Sequence, residues 1–210
     1  MINTEAKIAK ILLETSAIKL SPEKPFKWSS GWNSPIYCDN RTVLSYSHHR
    51  KAIKEMLSAK IAAEFEGVDT IIGVATAGIA MGALVADELS LSYAYCRPEP
   101  KSHGLKRQLE GKVDKDAKIV VLEDLISTGG SSLKVVEYLR AEGYNVMGMA
   151  AIFTYGFQIA DDNFNYADCK YITLGNYASM IDEAVTSGYV QESDLASLAQ
   201  WRENPAEWGV

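Results

Sequence analysis

Two spacings of apolar residues alternate along this chain. Over residues 4–20, Ile8, Ile11 and Leu12 recur three and four apart, which predicts an amphipathic helix. The stretch 19–25 breaks it. Residues 26–41 are rich in aromatics and turn formers, and predict two short strands joined through Ser30-Gly31. Together these form a small flap packed on the body of the molecule. Ser47 is placed to cap a helix running to about Phe65, with Ile53, Met56, Leu57, Ile61 and Phe65 as its buried stripe and Gly67 as a C′ glycine. Residues 70–74 predict a short buried strand, 75–78 a small-residue turn, and the following residues to Leu89 a helix. A second strand spans 92–96, and 97–116 shows no sustained period, the mark of a long loop or hairpin.

Ile119-Val120-Val121-Leu122 is a continuous apolar run, as expected of a strand at 118–122 buried on both faces. Two carboxylates, Glu123 and Asp124, follow at its carboxyl end. Leu133, Val136 and Leu139 then share one helical face up to about Gly143. Residues 145–155 and 171–174 read as strands. The last thirty residues read as helical around Met180-Ile181 and Leu195–Leu198, closing in a polar segment from Trp201 to Pro205. Strands alternating with helices predict an α/β fold with a mostly parallel sheet, right-handed crossovers and ligand loops at the carboxyl ends of the strands.

The 210 residues suit one domain spanning the chain, with about 1–45 as the N-terminal helix and flap. A net charge of −6 argues against a general nucleic-acid or anionic-membrane binder. Cys38, Cys96 and Cys169 are far apart and form no C-x-x-C, which suggests reduced thiols in a cytoplasm. No signal peptide and no membrane span are read from the sequence.

The chemistry concentrates in residues 119–132. Strand, acidic pair, Ser127-Thr128-Gly129-Gly130-Ser131-Ser132, helix: free loop N–H groups and the positive helix end can hold a phosphate. Glu123 and Asp124 would repel that phosphate, so they face vicinal hydroxyls or a metal ion. A second turn, Gly73-Val74-Ala75-Thr76-Ala77-Gly78, has the glycine spacing of a P-loop but ends in Ile79-Ala80, which excludes an ATPase of that type. It serves either anion binding through backbone N–H groups or tight strand–helix packing. A third segment, 97–107, carries four Lys/Arg and one His against one Glu. It is either a solvated face or a cationic lid over a polyphosphate, opening and closing with turnover.

The 119–132 string closely resembles the phosphoribosyl-diphosphate motif of the type I phosphoribosyltransferases. The resemblance implies that family's fold: a mostly parallel central sheet flanked by helices, with a small N-terminal hood and a long flexible loop. It implies that Glu123, Asp124, Leu125, Ile126, Ser127, Thr128, Gly129, Gly130 and Ser131 bind 5-phospho-α-D-ribose 1-diphosphate, the last five around its 5′-phosphate. It also implies that Thr76 and Ala77 contact its diphosphate. Arg97, Lys101, His103 and Gly104, with Glu110-Gly111, are similar to the loop of the orotate-using branch, and Ser30 to Tyr37 to its acceptor segment. That implies transfer of phosphoribose to orotate, with Arg97, Lys101, His103 and Asp124 as catalytic groups and either Lys101 or His103 as proton donor. It further implies orotate contacts at Ser127, Tyr37 and Cys38. The resemblance also implies Mg²⁺ as cofactor, held chiefly by donor and water, with Asp124 as the candidate protein ligand. A homodimer sharing loop 97–111 across subunits is expected. The pattern departs from the family at Pro98, at Ser29 and after Thr154, where relatives carry basic residues, so the groups that hold the orotate carboxylate are not identified. Another base, or a sensor on the same fold that binds nucleic acid, is the alternative.

Overall fold

The computed structural model describes residues 4–28, 31–100 and 108–209. Helix α1 (Thr4–Glu14) buries Ile8, Ile11 and Leu12 as the period predicts, but it stops short of residue 20. Thr15 Oγ1 turns back onto the Ile11 carbonyl (2.8 Å), and Ser16 takes a positive φ of 55°. The chain then extends as β1 (Ile18–Leu20), whose buried–exposed–buried alternation is a strand period rather than a helical one. The hairpin expected over 26–41 is present as β2 (Phe26–Lys27) against β3 (Asn33–Ser34), and β4 (Ile36–Cys38) pairs antiparallel with β1.

A 3₁₀ turn at Asn40–Ser45, not anticipated from the sequence, leads into α2 (Ser47–Glu64). Ser47 is its first residue and not its cap; Tyr46 stands at the cap, with no side-chain hydrogen bond. There follow β5 (Thr70–Val74), α3 (Gly78–Leu89), β6 (Ser92–Cys96), β7 (Leu109–Glu110) and β8 (Lys118–Ile126). Then come α4 (Gly130–Ala141), β9 (Asn145–Thr154), α5 (Gln158–Tyr166), β10 (Tyr171–Asn176), α6 (Tyr177–Thr186) and α7 (Leu195–Glu203). Helix α5 had no expectation attached to it.

Six strands form one sheet in the order β10-β9-β8-β5-β6-β7, parallel except for β7, which returns antiparallel on β6. Strand β7 thus closes the sheet edge against β6, and residues 101–107 between them lie outside the described residues. Strand alternation divides two cores. Val120 and Leu122 join the cluster with α1, α2, α3, α6 and α7, while Ile119 and Val121 join α4 and α5 on the other face. Trp201, in the segment expected to be a polar chain end, is fully buried in the first core, packed on Trp28, Tyr155, Phe157 and Tyr177.

Candidate active site

Strand β8 outruns its expected end. It carries Glu123 and Asp124 within the ladder and pairs Leu125 with Phe153 and Ile126 with Thr154. The acidic pair is thus fixed by a central strand rather than hung on a loop. Glu123 is 8 % exposed; its Oε2 accepts from Ser132 Oγ (3.2 Å) and its Oε1 from the Asp124 N–H (3.1 Å). Burial, reinforced by the Asp124 charge, pushes the Glu123 carboxyl up to about 8, and burial also raises Asp124. Near neutral pH the pair retains a proton. The Asp124 carbonyl accepts from Asn40 Nδ2 (2.9 Å), which ties the N-terminal unit to the acidic strand end.

The chain leaves β8 through Ser127 and Thr128 to Gly129, which has φ +80° and would place a Cβ 2.7 Å from the Phe164 ring. Only glycine meets both demands. Helix α4 starts there with no side-chain cap, and the first turn of a helix has N–H groups without intrahelical acceptors. Helix α3 likewise starts without a side-chain cap, at Ala77. A Cβ on Gly78 would sit 2.3 Å from the Leu122 carbonyl oxygen, and one on Gly73 2.7 Å from that of Gly78. Tight packing therefore explains these two glycines, and it delivers the turn between them to the same place as the Ser127–Ser131 loop. The Ala75–Thr76 peptide in that turn is cis.

The result is a cleft of about 410 Å³ lined by Val74, Ala75, Thr76, Ala77, Pro98, Glu123, Asp124, Leu125 and residues 127–132. Two helix N-termini meet two carboxyls in it, which suits an anionic ligand that also bears hydroxyls. Thr76, Ala77, Glu123, Asp124, Leu125, Ser127, Thr128, Gly129, Gly130 and Ser131 are all brought together there. Ile126 is not in the cleft. Its side chain is buried, and its carbonyl accepts from Thr154 Oγ1 (3.1 Å) and the Tyr155 N–H (3.2 Å).

A second cleft of about 730 Å³ adjoins the first and is lined by Lys27, Trp28, Trp32, Tyr37, Cys38, Leu125, Ser127, Thr128, Ser131 and Tyr155. Leu125, Ser127, Thr128 and Ser131 wall both clefts. The expected acceptor contacts Ser127, Tyr37 and Cys38 all lie in the second one. Sequence reasoning did not single out Lys27, Trp28, Trp32 or Tyr155; for the two tryptophans the density of aromatics in 26–37 was the available signal, and Lys27 and Tyr155 carry none. Trp28 is held by Nε1 donating to the Ile36 carbonyl (3.1 Å) and by ring contact with Tyr155 at 5.2 Å. Burial, then the Asp124 and Asp39 charges, raises the Cys38 thiol, so it stays neutral.

Arg97 is not among the residues lining either cleft. Its guanidinium lies 5.8 Å from the Tyr95 ring centroid, and its Nε is 3.7 Å from Glu110 Oε1. Lys101 and His103 lie outside the described residues, as does the turn at 29–30. Among the described residues no group of three His, Cys, Asp or Glu side chains could hold a metal ion, and no helix is long and apolar enough to cross a membrane.

Residues 43–187 match the family model of the phosphoribosyl transferase domain. The orotate phosphoribosyltransferase of Cytophaga hutchinsonii is 51% identical over 207 residues, covering 99% of each chain. That of Bacteroides thetaiotaomicron is 50% identical over 208 residues, covering 99% of this chain and 98% of its own. Among solved structures, the orotate phosphoribosyltransferase of Aeropyrum pernix superposes with a TM-score of 0.75 at 28% identity, over 88% of this chain and 99% of that one.

Proposed function

The chain belongs to the orotate phosphoribosyltransferase family, and on that footing we propose how its two clefts divide the reaction. The first takes 5-phospho-α-D-ribose 1-diphosphate, the second orotate. The C1′–O bond of the donor breaks, a C1′–N1 bond to orotate forms, the N1 proton passes by way of Lys101 or His103 to the departing diphosphate, and the products are orotidine 5′-phosphate and diphosphate. The observation that carries this reading is the shared wall: Leu125, Ser127, Thr128 and Ser131 face both clefts. A sugar whose 5′-phosphate is held at the α4 N-terminus then presents C1′ toward the second cleft.

Bond breaking builds positive charge on the ribose and negative charge on the leaving diphosphate. In this reading Glu123 and Asp124 hold the ribose hydroxyls on the electron-poor sugar. The α3 N-terminus with the Thr76–Ala77 turn, and Arg97, Lys101 and His103, neutralise the diphosphate, and Lys101 or His103 protonates it. Mg²⁺ fits the site: two adjacent carboxyls are too few to cage a cation but suit one already held by diphosphate oxygens and water, with Asp124 as the protein ligand. Bound there, it would offset charge on the diphosphate. Arg97 lies beside Tyr95 and Glu110 and lines neither cleft of its own subunit, which accords with a homodimer in which segment 97–111 serves the neighbouring site. The three free cysteines accord with a reducing cytoplasm.

The test is diphosphate release across a panel of bases. With donor and Mg²⁺ present, orotate supports release and adenine, hypoxanthine and uracil do not. Release with a purine and not with orotate would reject the acceptor assignment.

A further inference from the structure

Orotate is a planar ring bearing a carboxylate beside the reacting nitrogen, and that carboxylate is ionised at neutral pH. A charge entering a partly desolvated cleft needs a partner of opposite sign. We propose that Lys27 is the cation that recognises the acceptor's carboxylate, and that it sets the enzyme's preference for an acidic pyrimidine. The proposal rests on the orotate reading above and deepens it.

Among the described residues lining the second cleft, Lys27 is the only one with a formal charge; the rest are aromatic, aliphatic, thiol or hydroxyl. Two other cations stand close to these walls, and each is already engaged. Arg41 forks onto Asp39 through Nε (2.6 Å) and Nη2 (2.9 Å). Arg202 Nη2 donates to the Gly156 carbonyl (3.1 Å), next to Tyr155. Among the described residues no ion pair holds the Lys27 ammonium. The backbone beneath it is fixed: Lys27 pairs with Asn33 and Phe26 with Ser34 across the β2–β3 ribbon. Phe26 also packs its ring 5.7 Å from Tyr37. Lysine suits the place, because a flexible stem with a point charge can follow a ligand into the cleft. Lys27 is itself exposed at the edge of the cleft, so it is the only formal charge that a carboxylate entering between the aromatic walls would meet among the described lining residues.

This assignment explains how the chain manages without a lysine at position 29 or an arginine after Thr154. The charge is supplied two residues earlier, from a strand of the hood.

The experiment compares the wild type with Lys27→Ala, Lys27→Gln and Lys27→Arg in steady-state kinetics, with melting temperature as a fold control. Lys27→Ala and Lys27→Gln should each raise the KM for orotate roughly tenfold, with donor KM and melting temperature unchanged. Lys27→Arg should recover most of that loss. Inhibition by uracil, which lacks the carboxylate, should be the same in all four proteins. An unchanged orotate KM in both neutral variants overturns the proposal, as does an equal loss of uracil inhibition, which would point to a packing role. A wild type that releases no diphosphate with orotate instead overturns the acceptor reading, and the Lys27 assignment with it.

Discussion

At the scale of single residues, Glu123 makes the sharpest prediction. Its carboxyl is raised to about 8 by burial and the neighbouring Asp124, so the folded chain holds a proton that the unfolded chain gives up in the ordinary carboxyl range. Its contribution to stability is therefore complete below that range, and is lost as pH climbs through about 8. Glu123→Gln keeps an acceptor for Ser132 and cannot ionise. Its melting temperature should rise relative to wild type by several degrees between about pH 5 and about pH 9; a difference that does not vary with pH would contradict the account. Much of this site could be read from the chain, because the acidic pair and the Ser-Thr-Gly-Gly-Ser loop are contiguous and their chemistry is local. The displacement of Ile126 from the cleft could not be read, because it depends on where Thr154 and Tyr155 of β9 arrive. Lys27 was hidden for a similar reason: one lysine on a two-residue strand has no local pattern, and only the fold places it among the residues lining the second cleft.

At the scale of elements, periodicity found the central strands and most helices but misjudged ends. The helix predicted over 4–20 ends at Glu14, because Ile18–Leu20 pair with β4 instead, a contact that the local period does not contain. Strand β8 seemed to stop at the carboxylates because charge is rare in buried strands, yet β9 pairs with it through Ile126. The misreading of Trp201 matters most. Flanked by Arg202, Glu203 and Asn204, it looked exposed, but its ring sits 5.6 Å from Trp28 and 5.7 Å from Tyr155. It thus buttresses two walls of the second cleft, the proposed acceptor site, from the far end of the chain. Trp201→Ala should cost about 3–5 kcal/mol, lowering the melting temperature by roughly 10 °C. It should also raise the KM for orotate more than that for the donor. Equal effects on the two substrates would remove α7 from acceptor binding.

At the scale of the whole molecule, the order of alternating elements was enough to anticipate a mostly parallel sheet with loops gathered at one end. The division of that end into two adjoining clefts was not, since it depends on the hood closing over β8 through Asn40. The proposed dimer has its own consequence. Lys101→Ala and Asp124→Asn should each be nearly inactive alone, yet mixed dimers should regain activity, because one site in each recovers both groups. Mixed dimers no more active than their parents would confine segment 97–111 to its own subunit. The central claim, transfer of phosphoribose to orotate, is tested most directly by following the loss of orotate's ultraviolet absorbance with product mass measured in parallel. The account predicts loss only when protein, 5-phospho-α-D-ribose 1-diphosphate and Mg²⁺ are all present, with orotidine 5′-phosphate formed in equal amount. Stable absorbance in the complete mixture, with the donor demonstrably bound, would contradict it.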